Sequence, residues 1–82
     1  MSAREMFEEL CFYQTKNSSA YLIYEMYGKN QYTDENITTR ITFKKHEQLV
    51  KVKKIGKTTS YDFNSKEIKA IQQQIKELGW EE

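Results

Sequence analysis

The sequence predicts a small α+β domain in which two helices pack on one face of an antiparallel sheet. Three observations predict it. Apolar residues recur at helical spacing near both ends of the chain, they alternate at period two through the middle, and turn-forming residues separate the alternating runs. With 82 residues and no linker or repeat, the range 1–82 is expected to form one domain with one modest core.

The first predicted element is a short helix over roughly residues 3–10. Ser2 and Glu5 have capping-box spacing, in which each side chain bonds to the other residue's backbone amide. One face of this helix is apolar, formed by Ala3, Met6, Phe7 and Leu10. A helix of fewer than three turns is not stable alone, so we expect it to dock on the sheet.

Period-two alternation then predicts four to five strands. The stretch Phe12 to Lys16 is a candidate short strand, and Ala20 to Tyr27 is a stronger one because it is rich in Tyr, Leu and Ile. The alternation leaves open which side of the second strand is buried: Leu22, Tyr24 and Met26, or Tyr21, Ile23 and Tyr27. The polar stretch from Gly28 to Asn36 is typical of a loop.

Turn chemistry sets the register of the remaining strands. A loop at His46-Glu47 would pair Phe43 with Val50, and a type II′ turn at Gly56-Lys57 would begin a fifth strand. Both turns place the same apolar set on the core face: Ile41, Phe43, Val50, Val52, Tyr61 and Phe63. A slip of one residue in either hairpin would oppose lysines to this set, so we expect the register to be well defined.

The last predicted element is a helix capped by Asn64 or Ser65. Its apolar residues are spaced three or four apart: Ile68, Ile71, Ile75 and Leu78. Gly79 is expected to end it in the left-handed conformation, with Trp80 folded back and largely buried. The first helix ends with a similar pattern, Leu10-Cys11-Phe12, so we expect a positive φ at Cys11.

The two ends of the chain resemble a family of small uncharacterised proteins encoded in phages and prophages of Gram-positive bacteria. The resemblance rests on the opening AREMFEEL, on the strand ITF (Ile41 to Phe43) and on the closing KEIKAIQQQIKELGW. It is close over about a quarter to a third of the chain and loose elsewhere. The family typically has Gly then Tyr after its first Glu-Leu, where this chain has Cys11 and Phe12. The resemblance implies a phage origin and a bacterial cytoplasmic setting, and it implies no site residue.

The inventory of reactive side chains argues against an enzyme. The one cysteine, Cys11, rules out an internal disulfide, and no Cys/His spacing, phosphate loop or EF-hand pattern is present. Cys11 as a nucleophile with His46 as its base is the most plausible catalytic pair, but nothing orients either residue. We interpret Cys11 as structural, His46 as solvated and the pair Asp34-Glu35 as a turn, and we predict no cofactor and no metal.

Charge is concentrated in the predicted β-hairpin. From Lys44 to Lys57 the chain carries six lysines and one glutamate, whereas residues 1–10 carry one arginine and three glutamates. The hairpin's outer side is the candidate interaction face, formed by Arg40, Lys44, Leu49, Lys51, Lys53 and Ile55. Its apolar residues among lysines favour a protein partner from the phage or its host, and the alternative is single-stranded nucleic acid, with Tyr21 and Tyr27 available for stacking.

The remaining expectations concern location. No apolar run approaches the ~20 residues of a membrane helix, and the polar, acidic first residues do not resemble a signal peptide. The absence of disulfides fits a reducing compartment. We therefore expect a cytoplasmic protein without membrane contact, and its oligomeric state is left open.

Overall fold

The fold is the predicted α+β arrangement. The computed structural model describes residues 1–29, 32, 35–56 and 63–80. Within these ranges the elements are α1 (Ala3–Glu9), β1 (Tyr13–Asn17), β2 (Tyr21–Lys29), β3 (Asn36–Lys44), β4 (Leu49–Ile55) and α2 (Ser65–Glu77). Neither of the two helices has the length and apolar character needed to cross a bilayer.

The four described strands form an antiparallel meander in the order β1-β2-β3-β4. The register predicted for the β3–β4 hairpin is confirmed, because Phe43 lies opposite Val50 and Ile41 opposite Val52. The connecting loop, however, covers four residues, 45–48. The predicted fifth strand and its turn at Lys57 fall mostly on residues 57–62, outside the described residues; Phe63 is described, and it packs against the core without belonging to a strand.

The β2–β3 hairpin is longer than predicted. Gly28 and Lys29 pair with Ile37 and Asn36, so both ends of the stretch assigned to a loop belong to strands. Polar side chains do not prevent pairing here, because an extended hairpin satisfies the backbone groups whatever the side chains. The open question about β2 is also answered: Leu22 and Tyr24 are buried on the core face.

The core lies between the sheet and both helices, and Phe7 of α1 is at its centre. The Phe7 ring stacks on that of Tyr24 with 4.1 Å between centroids, and it meets Phe12 and Phe43 edge to face. The Tyr24 hydroxyl donates a 2.7 Å hydrogen bond to Oε1 of buried Gln74 in α2. Burial, reinforced by the negative charge of Glu77, raises the pKa of Tyr24 to about 12.

The two helices end in the same way. Cys11 has φ +67 and Gly79 has φ +75, so the positive φ predicted at Cys11 is confirmed. After α1, the amide of Phe12 donates a hydrogen bond to the carbonyl of Phe7. After α2, the amide of Trp80 donates one to the carbonyl of Ile75. Both are Schellman motifs. Each motif returns an aromatic ring to the core.

The two aromatic rings differ in burial. Phe12 is fully buried. Trp80 is only partly buried, and its ring centroid lies 6.2 Å from that of Phe43. Trp80 therefore packs against the core as predicted, at the margin of the core and less enclosed than Phe12.

The helices start with the predicted capping boxes. Ser2 caps α1 with Glu5, and Asn64, rather than Ser65, caps α2 with Glu67. The start of α1 is also tied to the end of α2, because the Ala3 amide donates a 2.7 Å hydrogen bond to Oε2 of Glu77. The helices thus run antiparallel on the core face, and no helix of the described residues lies on the other face of the sheet.

Candidate interaction face on the sheet

The candidate site lies on the side of the sheet opposite the helices, between the Tyr21–Lys44 pair and the Tyr27–Thr38 pair, and we call this area the outer face. It consists of Tyr13 and Lys16 of β1, Tyr21, Ile23, Glu25 and Tyr27 of β2, Thr38, Arg40, Thr42 and Lys44 of β3, and Leu49, Lys51, Lys53 and Ile55 of β4. All are exposed or partly exposed, whereas the alternate residues face the core. Strand alternation is therefore what positions the side chains that β2, β3 and β4 contribute to this face.

The six residues predicted from the sequence lie together. Lys44 is opposite Leu49 and Arg40 is opposite Lys53, while Lys51 and Ile55 lie opposite threonines of β3. Cross-strand pairs of this kind bring Cβ atoms to about 5 Å. The structure thus places the predicted set on one surface, and its role in binding stays a prediction.

Three members of this face were not predicted from the sequence: Tyr13, Lys16 and Glu25. Ile23 had been left open together with Tyr21 and Tyr27. Tyr13 and Lys16 are an odd number of residues apart, so simple alternation would put them on opposite faces. A register shift between Gln14 and Lys16 brings both to the outer face, opposite Glu25 and Ile23. Glu25 could have identified the outer side of β2 from the sequence, since a carboxylate within a strand favours the side that faces solvent.

The outer face is divided into an aromatic half and a basic half. Strands β1 and β2 carry Tyr13, Tyr21 and Tyr27, which are 52%, 39% and 64% exposed. Strands β3 and β4 carry four of the five cations of the face, and the fifth is Lys16. Against these five cations the face has one carboxylate, that of Glu25.

Glu25 organises the middle of the face. Its Oε2 accepts from Nε of Arg40 at 3.1 Å and also lies 3.1 Å from an Nη of the same guanidinium. Its Oε1 accepts a longer hydrogen bond of 3.4 Å from the Tyr27 hydroxyl. The Glu25 side chain is only 12% exposed, so the pair is partly shielded from water. Arg40 is therefore already partnered, whereas Lys51 and Lys53 form no ion pair with any residue that the structure describes.

The aromatic half has its own cation. Nζ of Lys16 lies 5.5 Å from the centroid of the Tyr21 ring, within cation–π distance. This contact covers one face of the Tyr21 ring. Tyr13 and Tyr27 remain the most exposed rings of the outer face.

The catalytic alternative gains no support from the geometry. Cys11 is exposed at the end of α1, and His46 is exposed in the β3–β4 loop. Cys11 precedes β1, which begins opposite Glu25, whereas the loop with His46 follows β3, which ends opposite Tyr21. Glu25 and Tyr21 are four residues apart along β2, or about 13 Å, so the two side chains lie toward different ends of the sheet. In the part of the chain that the structure describes, no three His, Cys, Asp or Glu side chains are grouped so that they could hold a metal ion.

Comparison of the chain with protein-family models, with curated proteins and with solved structures found no match. The resemblance to small phage proteins therefore stays a prediction.

Proposed function

We propose that this protein is a non-enzymatic accessory protein of phage or prophage origin that acts by binding another protein through its outer face. The observation that carries the proposal is a sheet face that neither α1 nor α2 covers and that mixes cations, tyrosines and aliphatic side chains. Tyr and Arg are the residues that most often anchor protein interfaces. The phage origin is supported by the resemblance of the two chain ends, and phage genes flanking its own gene would test it.

The charge of the face supports an acidic partner. Five cations against one carboxylate attract a negatively charged surface and repel a positive one. Leu49 and Ile55, at 55% and 42% exposure, offer apolar area beside the lysines. A partner with carboxylates next to apolar side chains would complement both features.

A second candidate is single-stranded nucleic acid, and the position of the tyrosines favours it. Three exposed tyrosines now share a face with the lysines, as stacking of bases and neutralisation of phosphates require. Two features weigh against it. Glu25 places a negative charge in the middle of the face and engages Arg40, and the ends of β4 present aliphatic side chains where phosphates would need donors.

The test uses two variants with equal charge change. In the first, Lys51→Glu and Lys53→Glu reverse charge on the outer face. In the second, Lys66→Glu and Lys69→Glu do so on exposed positions of α2, away from this face. Tagged parent and variant proteins are used to capture partners from a lysate of the host bacterium. A partner retained by the parent and the α2 variant, but lost by the outer-face variant, supports the proposal.

The same proteins test the second candidate. Binding of labelled oligonucleotides is followed by fluorescence anisotropy at low salt. If four to six cations neutralise phosphates of a single strand, the log–log slope of affinity against salt should be about −3 to −4. Micromolar binding with that slope, abolished only in the outer-face variant, would replace the protein-binding proposal. A partner captured equally by all three proteins would show that the outer face is not the site.

A further inference from the structure

The exposed side of β4 has a regular chemical order. Leu49, Lys51, Lys53 and Ile55 are all exposed and point to the same side of the strand, with an aliphatic side chain at each end and two lysines between. We call this set the β4 row. Its opposite residues on β3 are Lys44, Thr42, Arg40 and Thr38, and neither they nor the two helices cover the row.

The spacing of the β4 row limits the shape of what can lie along it. Alternate residues of an antiparallel strand are about 6.8 Å apart, so the four side chains extend over about 20 Å. A second extended segment presents alternate side chains at the same interval. A helix presents same-face residues at about 5.4 Å per turn, so three steps cover only about 16 Å. Three helical turns aligned on Leu49 would therefore fall short of Ile55 by about 4 Å.

A second copy of the chain does not fit the same surface. Two outer faces brought together would oppose ten cations to two carboxylates, and like charges across an interface are strongly unfavourable. The complementary surface must supply carboxylates opposite Lys51 and Lys53. It must also supply apolar side chains opposite Leu49 and Ile55, since these remain exposed otherwise.

We infer that the partner of this protein presents an extended segment with the pattern apolar-x-acidic-x-acidic-x-apolar, laid along the β4 row. The inference depends on the proposed function and specifies the partner's chemistry. Each acidic side chain pairs with one lysine, and the two apolar side chains set the register by covering Leu49 and Ile55. Packing of one sheet face on another at about 10 Å is the geometry in which such a segment would sit.

A synthetic peptide tests the pattern with the full chain. The fluorescent probe has nine residues, with Leu at its second and eighth positions, Glu at its fourth and sixth, and Thr elsewhere. One control has the same composition with Glu at the fourth and fifth positions, which lie on opposite sides of an extended segment. A second control is an alanine-based helix with the two Leu and two Glu on one face. Anisotropy at low salt measures each Kd.

The patterned probe should bind at least about tenfold more tightly than either control. Binding should weaken by at least tenfold in the Lys51→Glu/Lys53→Glu variant, and a probe with Lys in place of both Glu should bind that variant instead. The Leu49→Ser/Ile55→Ser variant should remove the preference for the patterned probe over the controls. Folding of each variant is checked by near-ultraviolet circular dichroism.

Equal binding of all three peptides, or no binding of the patterned probe at millimolar concentration, would overturn the inference. The proposed function would survive that result if capture of a partner from lysate still depended on Lys51 and Lys53. If capture does not depend on them, the proposed function fails as well. The two failures are thus distinguished by separate measurements on the same variants.

Discussion

Replacing Cys11 with glycine should stabilise the protein. Cys11 has φ +67, a conformation that costs a residue with a Cβ about 1–2 kcal/mol. Its side chain is exposed, so its removal sacrifices little packing. Glycine's greater freedom in the unfolded chain offsets about 0.4–1 kcal/mol. We expect a net gain of about 0.5–1 kcal/mol in the free energy of unfolding, or about 2–8 °C in Tm for a domain of this size.

The second helix supplies a matched reverse experiment. Gly79 occupies the same position of the same motif with φ +75, and a Cβ built there would meet no atom within 4 Å. Gly79→Cys should therefore destabilise by a similar amount through backbone strain alone. Cys11→Ala is the control for the thiol, because alanine keeps the strain and should melt close to the parent. Thermal and urea unfolding, followed by circular dichroism under reducing conditions, measure all three variants.

Either of two results would refute the explanation by backbone strain at Cys11. Cys11→Gly would melt at or below the parent, or Cys11→Ala would stabilise as much as Cys11→Gly. The second outcome would assign the effect to the thiol and not to the backbone. A neutral effect of Gly79→Cys would show that the turn after α2 accepts a side chain without strain.

Two further predictions concern the core. Trp80→Ala should lower the free energy of unfolding by about 3 kcal/mol, the lower end of the range for an aromatic truncation, because Trp80 is only partly buried; a urea midpoint unchanged from the parent would contradict its packing on Phe43. Because the folded-state pKa of Tyr24 is raised to about 12, the folded protein holds this proton between pH 10 and 12 while the unfolded chain releases it. Stability should thus fall by about 2–3 kcal/mol as pH rises through this window. Tyr24→Phe should lessen that fall while costing about 1–3 kcal/mol at neutral pH, because Gln74 loses its buried partner; the same pH slope in both proteins would refute it.

Local rules accounted for most of the elements. Capping boxes at Ser2 and Asn64 marked where both helices begin, since their hydrogen bonds are made within four residues. The register of β3 on β4 followed from turn position and from the need to keep Lys51 and Lys53 off the core face. The positive φ at Cys11 followed from its likeness to Gly79, because both are set by the geometry of a helix end.

The length of the β2–β3 hairpin did not follow from the sequence. Its end is polar, and the pairing of Lys29 with Asn36 comes from backbone hydrogen bonds that any side chain permits. The degree to which Trp80 is enclosed did not follow from the sequence either. A helix-end motif directs a ring toward the core, but how far the core extends beneath it is a property of the whole domain.

For the candidate site, the sequence by itself determined that Arg40, Lys51 and Lys53 share a side opposite the core, because alternation within a hairpin is a local property. The tertiary structure decided which side of β2 joins them. Both sides of β2 are apolar enough to be buried, and the choice depends on where Phe7 stacks against Tyr24. It also decided that Tyr13 and Lys16 belong to the outer face, because a bulge in β1 breaks alternation, and the position of a bulge depends on the strand with which it pairs.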